Sequence, residues 1–560
     1  MLNRIFVKTP YFLQIIILAL HHELGFIKTL FLKRRAKYSK ELLKKLRVTV
    51  SLGSVGIKKR REKGSKIVLM DFFPVPLWSV INCISSRYVS NLLEGQLRVI
   101  DFYRPSGQDR ELYKALGITY FSRIKVRSCE LGKLLKYYGE FFSTCKTRKQ
   151  LLDYKIDNIA IGIDIYESYL RAGYPTVNIY DFRYRKWAFL AFSQLIYLER
   201  LHRDNKLGAI FSSHENYVGP GLQAKFGFRH QIPVFFANVF EINVPEHLFE
   251  NHQRYLYYPL YFSNLNAKEK NKGRILAKGV LNRRISGEVG VMMPYQEKSA
   301  FSENFVERQL QQTSRKKLLI ATHDFFDNPH AFEVLPFVDF LDWLDYLSSE
   351  AKMLSEYEWY LKVHRDFSIA EKTIIDRFLR NNSHIKQVDP DVSFHQLKKE
   401  GLNAVLTCYG SVGHELPFLG IPVISFSFNP HSAYHFNFPV RDISKLRDVI
   451  KEAMNFKFTP KVIKEIYEFF YVHKVMNHPN NFNVPDFKEL ERLHSHHDQY
   501  FEYITKFFLD IETRVVQNLK EAILSKRKYS IERELPPSKQ HLNVGSQLDR
   551  LSLSIAEGRK

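Results

Sequence analysis

The sequence of 560 residues predicts an α/β protein with two doubly wound sheets. Short apolar runs alternate with helical patterns along the chain, which is typical of βαβ units and a parallel sheet. These runs form two series, separated by a polar linker around residues 311–315. The length exceeds what one hydrophobic core usually organises, so at least two domains are expected.

The first series of predicted strands begins after a boundary at Gly64-Ser65. Each run is apolar and is bounded by turn residues, as expected for a buried strand. The predicted strands of this series are residues 66–72, 97–102, 208–212 and 232–236.

The second series begins after the polar linker. A segment with apolar residues at helical spacing, between residues 337 and 347, follows its first strand. The predicted strands are residues 317–321, 358–363, 384–388, 404–407 and 422–426. Helical patterns dominate after about residue 455, and the last twenty residues are predicted to form a loose tail.

These patterns divide the chain into five predicted regions. They are a basic and apolar arm (1–64), an N-terminal Rossmann-like acceptor domain (65–312), a C-terminal Rossmann-like donor domain (313–455), C-terminal helices (456–540) and a flexible tail (541–560).

The charge of the chain is concentrated at its N-terminus. The net charge is +24, and residues 1–66 contribute 17 Lys and Arg against three Glu. Residues 11–20 are apolar, but His21-His22-Glu23 interrupts the run before it reaches the ~20 residues that span a bilayer. Apolar residues followed by Lys33-Arg34-Arg35 predict an interfacial helix on an anionic membrane. The alternative is a basic helix that packs on its own protein.

Other partners and compartments are less well supported. The arm lacks aromatic interleaving and a nucleic-acid-binding module, so we expect no nucleic-acid partner. The four cysteines form no C-x-x-C pair, which argues against a disulfide framework or a structural zinc site. No cleavage site of a secretory signal follows the apolar run. We therefore expect a cytoplasmic protein on the inner face of the cell membrane.

A glycine turn at residues 407–425 gives the strongest local signal. Gly410, Ser411 and Gly413 follow a predicted strand directly, and His414 and Glu415 come next. Glycines permit positive φ and close approach of a ligand to the backbone. Free N–H groups at a helix start, with the helix dipole, form an anion site. The alternative is a glycine-tightened turn of an ordinary α/β domain.

Polar residues also follow two other strands of the second series. His323 and Asp324 come after the first strand, and Lys362, His364 and Arg365 come at the end of the next. Such residues fit a nest for the phosphate of a leaving nucleotide. A carboxylate such as Glu415, or the imidazole of His414, could position a ribose or sugar hydroxyl. His323 and Asp324 could instead be a loop pair, and Lys362 a solvated strand end.

The first series offers candidates for a general base. His214 and Glu215 follow a predicted strand, and either could take a proton from an acceptor hydroxyl. Asp164, in the run Ile161–Tyr166, is a second candidate. The alternatives are a turn that caps a helix and, for Asp164, a plain edge strand. The histidines of residues 494–498 suggest a metal, but the sequence shows no partner ligands and we expect none.

Ligands of doubly wound sheets bind beyond the C-terminal ends of the strands. Two such domains facing each other place one ligand on each sheet and the chemistry between them. The predicted fold class is therefore α/β of the GT-B type, with two facing Rossmann-like doubly wound domains, a basic amphipathic N-terminal arm and a helical C-terminal region.

Five segments resemble bacterial capsule and surface-polysaccharide biosynthesis proteins, which are GT-B-like transferases akin to capsular Kdo transferases and more distantly to sialyltransferases and teichoic-acid polymerases. The resemblance covers roughly residues 155–440. The segments are His323–His330, Trp359–Arg365, Tyr409–Ile424, Ile161–Arg171 and Ser213–Gly221.

The resemblance implies a nucleotide-activated sugar donor, no essential metal, and donor phosphate contacts from His364 and Ser411. Relatives often have His-Pro where this chain has His364-Arg365. Arg365 then either adds a phosphate contact or marks a different donor.

We therefore expect a metal-independent glycosyltransferase that needs no cofactor beyond its nucleotide-sugar co-substrate, with CMP-linked sugars among the candidates. Its acceptor would be a growing surface polysaccharide or lipid-linked glycan. One alternative is a polyol-phosphate transferase of the CDP-glycerol type on the same fold. Another is a non-catalytic scaffold for polysaccharide assembly.

Overall fold

The computed structural model arranges the chain in two compact units. Unit 1 comprises residues 1–169, 177–251 and 478–560, and unit 2 comprises residues 170–176 and 252–477. The structure describes residues 6–7, 9–31, 38–55, 66–73, 76–100, 107–238, 241–248, 250–289, 291, 298–302, 307–331, 335–364, 367–476, 489, 493, 497–528, 551 and 555.

The described helices are numbered in chain order. They are α1 (Tyr11–Phe31), α2 (Lys40–Leu52), α3 (Pro76–Leu92), α4 (Gly107–Ala115), α5 (Leu131–Thr144), α6 (Arg148–Leu152), α7 (Ile161–Arg171), α8 (Phe182–Arg203), α9 (Leu222–Arg229), α10 (Glu250–Gln253), α11 (Tyr258–Ser263), α12 (Ala267–Ile285), α13 (Phe340–Met353), α14 (Ile369–Asn381), α15 (Phe394–Lys399), α16 (Val412–Glu415), α17 (Leu446–Asn455), α18 (Pro460–Phe470) and α19 (His497–Leu524).

Unit 1 contains a six-stranded sheet in the order β3-β2-β1-β4-β5-β6. Its neighbouring strands pair in parallel, except that β6 is antiparallel to β5. This is the strand order of the Rossmann fold, and its switch point lies between β1 and β4. The strands are β1 (Ile67–Asp71), β2 (Gln96–Ile100), β3 (Phe121–Ser122), β4 (Leu207–Phe211), β5 (Val234–Ala237) and β6 (Ile242–Asn243).

Unit 2 contains a second six-stranded sheet, in the order β12-β11-β10-β7-β8-β9. All of its pairs are parallel, and the order counted from β7 repeats that of the first sheet. Its switch point lies between β7 and β10. The strands are β7 (Lys317–Ala321), β8 (Glu358–Lys362), β9 (Ile385–Gln387), β10 (Leu402–Thr407), β11 (Val423–Ser425) and β12 (Asn437–Pro439).

The two sheets confirm the predicted fold class of two doubly wound α/β halves. Each predicted strand corresponds to an observed one. The short strands β3, β6 and β12 were not predicted, because two or three residues carry no readable periodicity. The predicted boundaries at residues 312/313 and 455/456 do not coincide with the limits of the units, and they stay a prediction about independently folding domains.

The edge-strand alternative for Ile161–Tyr166 is wrong, because these residues begin helix α7. The alternation of apolar and polar residues suggested a strand with one exposed face. Asp164, however, is fully buried, so its polarity does not mark an exposed face. Gly162 permits close packing of this helix: a Cβ there would lie 1.7 Å from the carbonyl oxygen of Leu151.

The core of unit 1 is completed by the C-terminal helix α19. One face of this helix is buried in the same cluster as Val68 and Met70 of β1. The buried residues of that face are Phe501, Ile504, Phe508, Ile511, Val515, Leu519 and Ile523. Their spacing of three or four residues gives a single apolar stripe along the helix.

The core of unit 2 lies around the second sheet. Helix α13 begins at the N-cap Asp339, whose carboxylate accepts a hydrogen bond from the backbone N–H of Asp342 at 2.9 Å. Its buried face, with Phe340, Trp343 and Leu344, packs in one cluster with strands β7, β8 and β10. The sheet thereby places the residues after each strand at its C-terminal edge.

Over residues 11–23, helix α1 packs on the rest of unit 1 through one face. The side chain of Gln14 is fully buried, and its amide oxygen accepts hydrogen bonds from Tyr138 Oη at 2.9 Å and from Arg185 Nη1 at 2.8 Å. The opposite face exposes apolar side chains such as Phe12 and Leu20. No helix in the described part of the chain is both long enough and apolar enough to cross a bilayer. The predicted basic run at residues 33–35 lies outside the described residues.

Candidate functional site

The predicted glycine turn of unit 2 follows β10, at the switch point of the second sheet. Gly410 has φ 137°, which glycine adopts without strain. The N–H groups of Gly413 and His414 donate to the carbonyls of Gly410 and Ser411, at 3.1 Å each. These bonds occupy the amides of Gly413 and His414 within the turn.

The helix after this turn is short. Helix α16 has four residues and continues as a 3₁₀ turn, Leu416–Leu419. A helix of one turn carries little macrodipole, so any anion site here depends on the backbone amides and on Ser411. Ser411 is half-buried, and its side chain makes no capping hydrogen bond.

The predicted sugar-positioning residues Glu415 and His414 are buried. Glu415 forms an ion pair with Arg284, whose Nε donates to Oε1 at 2.6 Å. His414 packs against the rings of His431 at 5.6 Å and Phe469 at 4.9 Å. Burial, followed by the neighbouring His431, lowers the pKa of His414 well below its ordinary value, so this imidazole is neutral. Both side chains therefore belong to the buried surroundings of the turn.

His323 lies beside the glycine turn. Its ring is 4.7 Å from that of Tyr409, the residue before Gly410, and 5.1 Å from that of Phe340. Both His323 and Tyr409 follow strands that flank the switch point. Asp324 accepts a hydrogen bond from the N–H of Phe326 at 2.8 Å and so shapes the loop after β7. The structure therefore brings His323 and the turn together.

The residues after β8 are arranged differently. Lys362 is buried, its ammonium donates to the carbonyl of Pro390 at 2.5 Å, and it lies 5.9 Å from the ring centre of Phe394. His364 is exposed. Arg365 lies outside the described residues. The hydrogen bond from Lys362 thus holds the loop after β9.

Three polar residues form a hydrogen-bonded series at the switch point of unit 1. Asp71 ends β1, and its carboxylate accepts from the N–H of Ser213 at 2.9 Å and from the Ser213 hydroxyl at 2.5 Å. Ser213 Oγ lies 2.8 Å from Nδ1 of His214. Because the carboxylate only accepts, the hydroxyl donates to Asp71 and Nδ1–H donates to Ser213. This network assigns the proton to Nδ1 and makes Nε2 the basic nitrogen of His214.

The surroundings of this series favour a defined imidazole orientation. His214 is half-buried, stacks on Trp78 at 5.8 Å and meets Phe73 edge-on at 5.1 Å. Burial raises the pKa of Asp71 from 3.8 to about 6, and the hydrogen bonds from Ser213 oppose that shift. Above that pH the carboxylate is ionised and holds the series in one direction. Asp71, Ser213 and His214 are called the relay below.

The loop after His214 is strained and firmly held. Tyr217 has φ 80° and Gly219 φ 110°, and an aromatic residue rarely adopts such a conformation. Gln194 binds both backbone groups of Gly219, donating to its carbonyl at 2.7 Å and accepting from its N–H at 2.9 Å. Ser168 Oγ accepts from the N–H of Val218 at 2.8 Å. Strain that is held by buried partners is a feature of functional loops.

Asp164 belongs to the support of this loop. It is buried and paired with Lys225, which also donates to Asn216 Oδ1 at 3.1 Å. Burial raises the pKa of Asp164 to about 7, and Lys225 opposes the shift. Glu215 is also buried. Through Lys225, Asp164 thus lies at the loop that carries His214 and Glu215, and His214 is the most exposed of the three.

Reasoning from the sequence missed Asp71, Ser213 and Lys225. Asp71 could have been found by the rule applied to the second series, because it is the polar residue that ends a buried strand. Ser213 stands beside His214 and carried no separate signal. Lys225 lies within a helix, and only the fold places it against Asp164. Within the described ranges, no three His, Cys, Asp or Glu side chains form a cluster that could hold a metal ion; His494 and His496 lie outside those ranges.

The two Rossmann-like sheets, each with polar residues at its switch point, define the fold class of this chain. Comparison with known proteins adds little detail. No family model matches the chain, and no curated protein matches it.

Two solved structures are similar to parts of the chain. One is Thermosulfurimonas dismutans KpsC, a beta Kdo 2,4 transferase, with 14% identity and a TM-score of 0.28 over 47% of this chain and 79% of that one. The other is UDP-GlcNAc 2-epimerase from Neisseria meningitidis bound to UDP-GlcNAc, with 9% identity and a TM-score of 0.21 over 74% of this chain and 100% of that one. Both TM-scores are below 0.5, so the proposals below depend on the residues of this chain.

Proposed function

We propose that the protein is a glycosyltransferase that moves a sugar from a nucleotide-activated donor to a surface polysaccharide or lipid-linked glycan. The observation that carries the proposal is the relay, which supplies an oriented base at the switch point of a Rossmann-like sheet. The resemblance of the motifs to capsular Kdo transferases and the glycine turn of unit 2 support the same activity.

In the proposed reaction, Nε2 of His214 takes the proton of an acceptor hydroxyl. The acceptor oxygen forms a bond to the anomeric carbon as the bond from that carbon to the donor phosphate breaks. The electron pair of that bond leaves with the nucleotide, and the proton stays on the imidazole. Asp71 stabilises the imidazolium through Ser213 without taking the proton itself.

The donor phosphate would bind at the glycine turn. The amides of Ser411 and Val412, the Ser411 hydroxyl and the exposed His364 supply hydrogen bonds to the charge that develops on the leaving group. His323 would contribute from the loop beside the turn. Glu415 and His414 would act as supports of this site, because both are buried.

The test is a panel of CMP-, CDP- and UDP-linked donors, with hydrolysis and transfer as readouts. We expect one class of nucleotide sugar to be consumed, and His364→Ala and Ser411→Ala each to weaken its binding. Ser349→Ala, at an exposed position of α13, serves as a control. Consumption of CDP-glycerol alone would replace this proposal with a polyol-phosphate transferase.

A catalytically silent scaffold is the remaining alternative. It would bind no nucleotide, and the two binding-site variants would match the wild type in thermal shift with every nucleotide tested. The variant His214→Ala separates the enzyme hypothesis from the scaffold hypothesis further. In an enzyme it should abolish transfer while donor affinity is retained.

We also propose that the enzyme works on the cytoplasmic face of the membrane, attached through residues 1–60. Helix α2 contributes Leu42, Leu46 and Val50 to the core of unit 1. Deleting the whole arm would therefore damage the fold as well as the attachment, and point substitutions on exposed residues are the better test.

A further inference from the structure

A pocket with a volume of about 280 Å³ lies beneath helix α1 in unit 1. It is enclosed by α1, α5, α8 and the extended segment Arg123–Val126. Its floor is apolar, and the buried side chains Ile15, Leu134, Phe189 and Leu190 contribute to it. The relay and the glycine turn contribute no residue to this pocket.

The rim of the pocket is polar and carries cations. Arg123 donates from Nη2 to Glu23 at 2.7 Å, and this hydrogen bond holds the pKa of Glu23 below its ordinary value. That pair is neutral in sum. Lys125 is exposed and forms no ion pair with any residue that the structure describes, so the rim keeps a positive charge. His22 completes the polar side.

The pocket is continuous with the exposed apolar face of α1. At about 100° per residue, the positions of this helix that line the pocket adjoin both its buried positions and its exposed apolar positions. The positions that line the pocket are 15, 19, 22 and 23. The exposed apolar residues are Phe12 (53%), Leu13 (46%), Ile16 (39%), Ile17 (42%) and Leu20 (58%). An apolar face, an apolar pocket and a basic rim thus follow each other around one helix.

We propose that this pocket takes one acyl chain of an anionic phospholipid from the bilayer on which α1 rests. This proposal adds a lipid-binding site to the membrane attachment proposed above, and it rests on that attachment. The exposed apolar face lies among the acyl chains, the lipid phosphate lies against Lys125 at the rim, and the end of its chain enters the space beside Ala19. The lipid is an anchor, bound without any chemical step.

Size and charge both support this occupant. The volume lies near the lower limit of the roughly 300–1,000 Å³ of small-molecule sites, which suits part of one chain better than a whole lipid. An interfacial helix buries its apolar face about 5–10 Å into the boundary of the headgroups, and a basic flank favours anionic lipid. Each methylene buried contributes about fourfold in binding, from roughly 0.8 kcal/mol per group.

The test uses the full chain and vesicles of phosphatidylcholine, with and without phosphatidylglycerol, in a co-sedimentation assay. Ala19→Phe fills the pocket while leaving the exposed face and the charges intact. Ala370→Phe, at an exposed position of α14, is its matched control. If the substitution keeps two methylenes out, vesicle binding should fall about fifteenfold in Ala19→Phe and stay unchanged in Ala370→Phe.

Three further variants test the face and the rim. Ile16→Ser with Leu20→Ser should abolish binding, whereas Val48→Ser with Leu52→Ser, on the exposed side of α2, should not. Lys125→Glu should lower binding to phosphatidylglycerol vesicles about fivefold or more, since each basic residue near the surface contributes about 1 kcal/mol. Native mass spectrometry of the purified wild type should detect a phospholipid that Ala19→Phe lacks.

The outcomes separate the acyl-chain proposal from the attachment. Wild-type binding that Ala19→Phe does not reduce would overturn the pocket and leave the attachment in place. Failure of the wild type to bind either vesicle would overturn both. A wild-type dimer that Ile16→Ser with Leu20→Ser converts to a monomer, with vesicle binding unchanged, would assign the face to a second copy of the chain and refute the lipid. Far-UV circular dichroism and thermal unfolding check that each variant is folded.

Discussion

Replacing Asp71 of the relay with asparagine should change stability and activity in different ways. Asparagine keeps an oxygen that accepts from the N–H of Ser213, but its amide nitrogen cannot accept from the Ser213 hydroxyl. The substitution therefore removes a buried charge and, at the same time, the group that orients His214.

The magnitude follows from the pKa of the buried carboxyl. Burial raises the pKa of Asp71 from 3.8 to about 6, a shift of about two units at 1.36 kcal/mol each. Below pH 3.8 the carboxyl is protonated in the folded and the unfolded chain alike. Between the two values the unfolded chain releases its proton and the folded chain retains it, so the wild type loses up to about 3 kcal/mol of stability as the pH rises through about 6. The Asp71→Asn variant carries no titrating group at this position, so it does not lose stability in this way.

Urea unfolding of the wild type and Asp71→Asn, at pH 4 and at pH 8, measures this difference. The altered hydrogen bonds of Ser213 cost about 1 kcal/mol in the variant, so the informative quantity is how far the stability difference between the two proteins changes between the two pH values. Asp204→Asn, an exposed carboxylate on the same unit, is the control. In transfer assays at pH 8, Asp71→Asn should retain donor affinity and lose at least about tenfold in kcat, and at most the roughly 10²–10⁴-fold that a general base contributes.

Equal pH dependence of stability in the wild type and Asp71→Asn would refute the buried, ionised carboxylate. Full kcat in Asp71→Asn would refute its role in orienting His214, whatever the stability result.

Three further substitutions test the supports of the candidate site. Glu415→Leu leaves Arg284 buried without its partner and should cost about 3–5 kcal/mol in unfolding experiments, with much of this recovered when Arg284→Met is added. In Gly413→Ala the new Cβ would lie 2.4 Å from Cε1 of His431, so we expect about 1–3 kcal/mol of destabilisation and weaker donor binding by calorimetry. An unaltered Kd would show that the turn tolerates the shift or does not bind the donor. Lys225→Met removes the cation beside a buried carboxylate of α7 and should cost about 3–5 kcal/mol at pH 8 but less at pH 5, where that carboxylate takes up a proton. A pH-independent cost would contradict this.

Much of the fold could be predicted from the sequence because buried parallel strands are continuous apolar runs. Segments such as KLLIA at β7 need no tertiary information to be recognised. The role of α19 could not be predicted in this way. Its apolar stripe indicates that one face of the helix is buried. The surface on which it packs lies more than four hundred residues earlier in the chain, and hydrophobic periodicity does not identify that surface.

The candidate site was predictable where chemistry follows a strand end. This rule led to His214 and His323, and it would have led to Asp71. It did not reveal that Glu415 is ion-paired with Arg284 of α12, because the residues at a helix start carry no information about a partner on another helix. The roles of the predicted donor residues stay a prediction, as does that of Arg365.

The place of α19 in unit 1 has a consequence for how the protein is made. A ribosome releases all of unit 2 before it releases the helix whose Phe501, Phe508 and Val515 fill the core of the first sheet. The sheet that is synthesised first is therefore the last to have its core completed. Until α19 is synthesised, the apolar surface of that sheet stays exposed and is open to binding by a chaperone. A nonsense mutation between residues 478 and 496 would spare unit 2 but remove the helix that completes the core of unit 1. The damage would therefore appear in the N-terminal sheet, far along the chain from the truncation.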